Sequence, residues 1–199
     1  MSNSSLAMIL IIVLVSFLGF IVENISSILT KRTIDNRNMI FPFLLGYGLA
    51  ILLIYLLFGT PNEPLFFGHE IPIKSNILST LYYFAISFLC VSVGELILGH
   101  LIERTCEIKW WNYTNIPLHI TRYTSIPTSA IFATLITVFM KFIFSPLLLL
   151  LSNMSPDILK AVALPLISLL SIDFINSGIY MFIHHQKLDL WQINLKRKH

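Results

Sequence analysis

A chain of 199 residues that is 56% hydrophobic and 12% charged, with a mean hydropathy of +0.80, is not an ordinary soluble domain, where about 25% of residues are charged. The net charge of +3 is spread over separate loops rather than one patch, so it says little about nucleic acid, and no nucleic-acid partner is expected. Two cysteines, Cys90 in an apolar run and Cys106 in a loop, fit no metal-ligand spacing and read as unpaired thiols. The composition predicts an all-α, polytopic integral membrane protein, a single transmembrane domain over residues 1–199 with no cofactor.

About 20 apolar residues are needed to cross the hydrocarbon core, and five segments come near that length. The first covers about 6–23 and ends in Gly19-Phe-Ile-Val-Glu23; no basic residue precedes it and no small-residue cleavage site follows, so it reads as a retained helix. A polar loop with Lys31, Arg32, Asp35, Asn36 and Arg37 follows. The second helix covers about 40–59 and opens on Phe41-Pro42, because proline loses no intrahelical donor in a first turn. Pro61, Pro64, Gly68 and Pro72 mark 60–76 as a loop. The third helix starts near Asn76 and runs to about Cys106, with its last turns projecting from the membrane. The fourth covers about 125–144, and Pro146 bends or ends it. The fifth covers 158–183 and contains Pro165 and Asp173, and 184–199 is a basic tail.

Five crossings place the loop 24–39, the loop 99–124 and the tail on one side. Those segments carry Lys31, Arg32, Arg37, Arg104, Lys109, Arg122, Lys187, Lys196, Arg197 and Lys198, against Lys74 and Lys160 on the other side. An excess of Lys and Arg marks the cytoplasmic side. The expected orientation therefore has the N-terminus outside and the C-terminus in the cytoplasm.

An internal repeat is visible by eye. Gly19…Glu23 matches Gly99-His-Leu-Ile-Glu103, and Pro42 with Tyr47-Gly48 matches Pro127 with Phe132-Ala133. The halves, 6–59 and 77–151, would be parallel repeats about an axis along the membrane normal, an arrangement some transporters use.

Polar residues in such a chain are the ones that carry chemistry, because charge near the membrane centre is costly and is kept where it faces a cavity or a partner. Residues four apart share a helix face, so Glu95, Gly99, Glu103 and Glu107 form a stripe, with Gly99 leaving room for a neighbour's backbone or a ligand. If Glu23 holds the equivalent place, two or three carboxylates converge, with Arg37, Arg104, Lys109 or Arg122 as partners. This is either a polar pocket for a cation, a basic group or a lipid head group, or an ion-pair network that fixes helix ends. Trp111, Asn112 and Tyr113 read as a folded loop or as an aromatic belt. Asp173, inside the fifth helix, has Lys141 as its candidate partner, although Lys141 can equally snorkel outward. His100 and Glu103 stand at a spacing metals use but lack a second such pair. No hydrolase, ATPase or zinc-protease motif is present.

Gly19 with Glu23, Asn36-Arg37, Pro42 and Tyr47-Gly48 form one series; Glu95 with Glu103, Trp111-Asn112-Tyr113-Thr114 and Ser129…Phe132-Ala133 form a second. Together they resemble the ABC-transporter type IV family of bacterial membrane proteins. That family carries Gly-Trp-x-x-Glu, Asn-Arg-Gly, Pro and Tyr-Gly, then paired Glu, Trp-Asp-Tyr-Ser, an Asn and Ser-x-x-Trp-Gly. Asn112 stands in place of the family's Asp, His119 of Asn, Arg122 of Gly and Phe132-Ala133 of Trp-Gly, and one residue is missing between Arg37 and Pro42. The resemblance implies a divergent member in a bacterial plasma membrane. Its expected role is a permease-like transport component with a cytoplasm-facing pocket, served by a separate nucleotide-binding subunit. The alternatives are a membrane-embedded lipid-binding protein or enzyme, with Glu95 and Glu103 as acid/base or head-group contacts, and a scaffold for another membrane complex. Membrane lipids and a second copy of the chain are the other expected partners.

Overall fold

The computed structural model describes residues 2–195 and is mostly helical. In chain order the helices are α1 (Asn3–Lys31), α2 (Leu45–Phe58), α3 (Asn76–Cys106), α4 (Ile126–Val138), a π-helical segment (Phe139–Phe144), α5 (Ser145–Ser152) and α6 (Pro156–His184). Four helical stretches, α1, α3, the continuous 126–152 and α6, are long and apolar enough to cross a membrane; α2 is apolar but has 14 residues. Their outward side chains are apolar, as lipid-facing surfaces require: Leu53, Leu81, Ile97, Ile131, Ile172 and Phe182 are all more than half exposed.

Several boundaries differ from the sequence reading, each for a local reason. The helix α1 runs eight residues past Glu23, into the first half of the expected loop, and stops where Arg32 turns left-handed at φ 57° and its N–H caps the Ile28 carbonyl. The same device ends α3 at Glu107 and α6 at His185. Pro146 does not end its helix. The π-helical turn lies directly before it, and a widened turn accommodates a proline that lacks a donor and crowds the preceding carbonyls. The basic tail contains β4 (Gln192–Asn194), which pairs antiparallel with β1 (Thr33–Asp35) just after α1. A second small ladder joins β2 (Leu65–Phe66) to β3 (His69–Glu70). Lys196, Arg197 and Lys198 of the expected tail lie outside the described residues.

The expected second helix, 40–59, begins only at Leu45, and Pro42 sits in a non-helical stretch before it. The backbone donors of that stretch are all satisfied. The N–H groups of Met39, Phe43 and Leu44 bond to the carbonyls of Asn36, Phe41 and Ser16, and those of Ile40 and Phe41 bond to the carboxylate of Asp173. Non-helical backbone at membrane depth must be satisfied in this way, because lipid offers no hydrogen-bond partners.

The chain divides into two compact units, residues 1–50 with 150–199, and residues 51–149. In the first, α1 and α6 pack together. Asn3 at the start of α1 bonds the Ser152 and Met154 carbonyls just before α6, while β1 and β4 tie the regions after the two helices together. The two helices therefore run parallel. In the second, α3 packs along α4, with Glu95 meeting Ser129 near one end and Thr80 meeting Lys141 near the other, an antiparallel pair.

Candidate functional site

In the second unit, polar side chains gather where α3 approaches its C-terminal end. Gly99 presents bare backbone, and a Cβ there would lie 2.4 Å from the ring of Tyr123. That ring is buried, 1% exposed, and its hydroxyl donates to Glu103 Oε2. Arg122 Nη1 donates to the other oxygen, Glu103 Oε1, at 2.9 Å. The guanidinium also lies 5.7 Å from the centre of the Tyr123 ring. The Tyr123 phenol is held above its ordinary pKa, first by burial and then by its bond to the Glu103 carboxylate, so it remains a proton donor at neutral pH.

Two turns earlier on α3, Glu95 is half-buried. Its carboxylate accepts from Tyr113 Oη at 3.2 Å and from Ser129 Oγ at 3.3 Å. The expected folded loop is present. Trp111 Nε1 donates to the Tyr123 carbonyl at 2.8 Å, and its ring meets the Tyr123 ring edge-on at 6.1 Å. The Tyr113 N–H bonds the Arg122 carbonyl. Residues 111–113 and 122–123 thus lie side by side, which delivers both tyrosine hydroxyls to the two carboxylates. Ser125 caps α4 and Pro127 occupies its first turn, which fixes the direction in which Tyr123 leaves the helix.

The first unit holds a cluster of the same composition. A Cβ on Gly19 would lie 2.6 Å from the Tyr47 ring, and the Tyr47 hydroxyl donates to Glu23 Oε1. Arg37 Nη1 stands 3.9 Å from Glu23 Oε2, its Nε stands 3.3 Å from Asp35 Oδ1, and its Nη2 donates to the Glu23 carbonyl. Asn36, 3% exposed, donates to the carbonyls of Met39 and Leu188 and accepts from Leu190 N–H, clipping the tail to the loop.

The glycine, tyrosine, glutamate and arginine therefore recur in each unit. The tyrosines arrive differently: Tyr47 projects from α2, whereas Tyr123 lies in the loop before α4. Pairing Tyr47 with Phe132 by sequence misses this, because chemistry and not register is repeated. Tyr123 is the main residue that sequence reasoning overlooked. Its signal is an aromatic two residues before a Ser-x-Pro helix start, opposite a Gly-x3-Glu face.

Other expected members lie outside the clusters. Glu107 is beyond the last turn of α3, as its left-handed cap. Asn112 is exposed and accepts from the Thr114 N–H, shaping a turn. Arg104 and Lys109 are exposed. Asp173 is 3% exposed and holds the Ile40 and Phe41 amides, with Ser177 Oγ at 3.3 Å. Its expected partner Lys141 instead donates to Thr80 at 2.8 Å. No group of three or more His, Cys, Asp or Glu side chains that could hold a metal ion occurs among the described residues.

The model of the family described as "Putative ABC-transporter type IV" matches residues 10–178, which takes in both clusters. No curated protein and no solved structure matches the chain.

Proposed function

The chain belongs to the ABC-transporter type IV family, and we propose that it is the permease-like membrane subunit of a transport assembly, with its recognition pocket built around Glu95 and Glu103. The observation that carries this reading is the pair of carboxylates two turns apart on α3, each approached by a tyrosine hydroxyl from the same loop. A membrane helix keeps two carboxylates where they face a cavity or a partner rather than lipid. Ion pairing alone would need the arginine; the serine, two tyrosines and tryptophan add a shaped and mostly neutral donor wall. A basic or cationic group would be met not by these donors but by the remaining lone pairs of the two carboxylates, with aromatic rings beside them. Glu23, Arg37 and Tyr47 form the corresponding cluster of the first unit, and Asn36 and Asp173 hold the loop that carries Arg37.

The sequence has no nucleotide-binding motif, so energy would come from a separate nucleotide-binding subunit. The exposed end of α3, with Arg104, Glu107 and Lys109 around it, is the natural contact for that partner. The setting is a bacterial plasma membrane, with this end in the cytoplasm. The β1–β4 ladder supports placing the loop after α1 and the tail on one face, since paired strands cannot lie on opposite sides of a bilayer. Parallel α1 and α6 need an odd number of crossings between them, which favours counting the short α2 as the fifth crossing.

The test is affinity purification of the full chain from native membranes, comparing wild type with Glu95→Gln and Glu103→Gln at matched abundance. Retention of a nucleotide-binding subunit by all three, with transport lost only in the variants, is the expected result. If no such subunit is retained and a tightly held lipid is recovered and lost in Glu103→Gln, the lipid-binding reading replaces this one.

A further inference from the structure

The tail after α6 completes a small amphipathic ladder beside the end of α1. β1 runs back along that helix: Thr33 Oγ1 meets Ser27 Oγ at 3.0 Å, and the Asp35 N–H donates to Asn24 Oδ1 at 2.9 Å. Arg37, two residues on, reaches the Glu23 carbonyl. β4 runs the other way, from Gln192 opposite Asp35 to Asn194 opposite Thr33, and the Leu195 N–H bonds the Arg32 carbonyl. Both strands therefore follow the α1 axis, and the faces of the ladder look sideways from the helix end rather than away along its axis.

Opposite residues of an antiparallel pair share a face, and neighbours along a strand alternate. Thr33, Asp35, Gln192 and Asn194 make a polar face, with Thr33 and Asp35 held by Ser27 and Arg37. Ile34 and Ile193 stand on the other face, and the alternation adds Trp191 and Leu195 to it. This row is open: Trp191, Ile193 and Leu195 are 40%, 53% and 43% exposed.

Depth selects what covers the row. α1 has 29 residues, about 43 Å at 1.5 Å per residue, which matches a bilayer with its headgroup layers at about 40–45 Å. The last two turns, beside which the ladder lies, still turn apolar side chains outward, with Ile25 and Leu29 50% and 78% exposed. Toward the end of α1 the row runs Trp191, Ile193, Leu195, and the sequence then continues as Lys196-Arg197-Lys198. Lys31 and Arg32, at that same end of the ladder, are exposed. Apolar groups followed outward by cations is the order of a bilayer surface, where acyl chains lie beneath phosphates. Tryptophan favours that boundary, and anionic lipid attracts basic residues there.

We propose that the C-terminal tail is an interfacial anchor: Trp191, Ile193 and Leu195, presented by the β1–β4 ladder, enter the headgroup–acyl boundary of an anionic bilayer, and the basic residues after them meet lipid phosphates. The assignment rests on the end of α1 and the tail alone and is independent of the transport reading.

The experiment places a nitrobenzoxadiazole fluorophore on Ile193→Cys or on Asn194→Cys in the full chain, with Cys90 and Cys106 replaced by serine. The protein is reconstituted as single copies in nanodiscs of phosphatidylglycerol and phosphatidylcholine. Both labelled positions are exposed, so neither substitution disturbs packing, and the two neighbours report opposite faces. The label at 193 is expected to emit at shorter wavelength and to be quenched about threefold more strongly than the label at 194 by lipid nitroxides placed near the headgroup. Exchanging all phosphatidylglycerol for phosphatidylcholine is expected to lower the quenching at 193 about twofold. Equal quenching at 193 and 194, or none at 193, would overturn the proposal. Quenching unchanged in phosphatidylcholine would overturn the role given to the basic residues. A wavelength shift at 193 found only in nanodiscs holding two copies would also overturn the anchor and make the row a contact between copies.

Discussion

Tyr123 donates its hydroxyl to Glu103 while its ring seals against the bare backbone of Gly99, so one side chain both packs the helix and presents a proton to the carboxylate. Tyr47, Gly19 and Glu23 repeat the relationship in the other unit. In each case the glycine is the precondition. A close aromatic approach to a helix needs a position without Cβ, one turn before the carboxylate.

Gly99→Ala and Gly19→Ala should therefore displace their tyrosines, because the new methyl groups would fall 2.4 Å and 2.6 Å from ring carbons. Overpacking of this kind costs about 1–3 kcal/mol. Gly46→Ala and Gly94→Ala meet nothing within 4 Å and should be neutral or gain up to about 1 kcal/mol from helix propensity. Thermal unfolding of the four purified variants separates the pairs, and equal melting temperatures would remove the proposed role of the glycines.

Asp173→Ala leaves the part-buried Ile40 and Phe41 amides without their acceptors, which costs at most about 1–3 kcal/mol for each donor. Asp173→Asn keeps one acceptor oxygen and should fall between Ala and wild type. Hydrogen exchange at residues 40–44 reads the effect directly. Unchanged protection in Asp173→Ala would show that other groups hold the loop.

The raised Tyr123 pKa sets a pH dependence with a definite sign. A group whose folded pKa lies above its unfolded value contributes stability that is fully present below the unfolded value, about 10 for tyrosine. The contribution is lost as pH rises through the folded value. Wild type should thus lose stability on the alkaline side of pH 10 more steeply than Tyr123→Phe, which has no phenol to ionise. Melting temperatures of both proteins across that range provide the check, and parallel curves would contradict it.

Glu95→Ala and Trp111→Ala should impair transport or assembly in a complementation assay at matched membrane abundance, Glu95 by losing the acceptor for Tyr113 and Ser129, Trp111 by releasing the Tyr123 carbonyl. Glu63→Ala, at an exposed loop position, should be close to neutral. If all three behave alike, the cluster serves only to hold helix ends.

Composition and apolar run length were enough to establish a helical membrane protein, the span of α3 from Asn76 to Cys106, and the Gly-x3-Glu faces, because these depend on local periodicity and on the cost of charge in lipid. A folded loop at Trp111–Tyr113 was one of the two readings the sequence left open, and the Tyr113 bond to Glu95 and the Trp111 bond to the Tyr123 carbonyl decide for it. The partners were not legible. That Asp173 would take the Ile40 and Phe41 amides rather than Lys141, that Tyr123 rather than Phe132 would play the part of Tyr47, and that the tail would supply a strand to β1 all depend on contacts between residues distant in sequence. The register of such contacts is set by how close two backbones can approach and which donors are left over, and only the packed tertiary structure decides that.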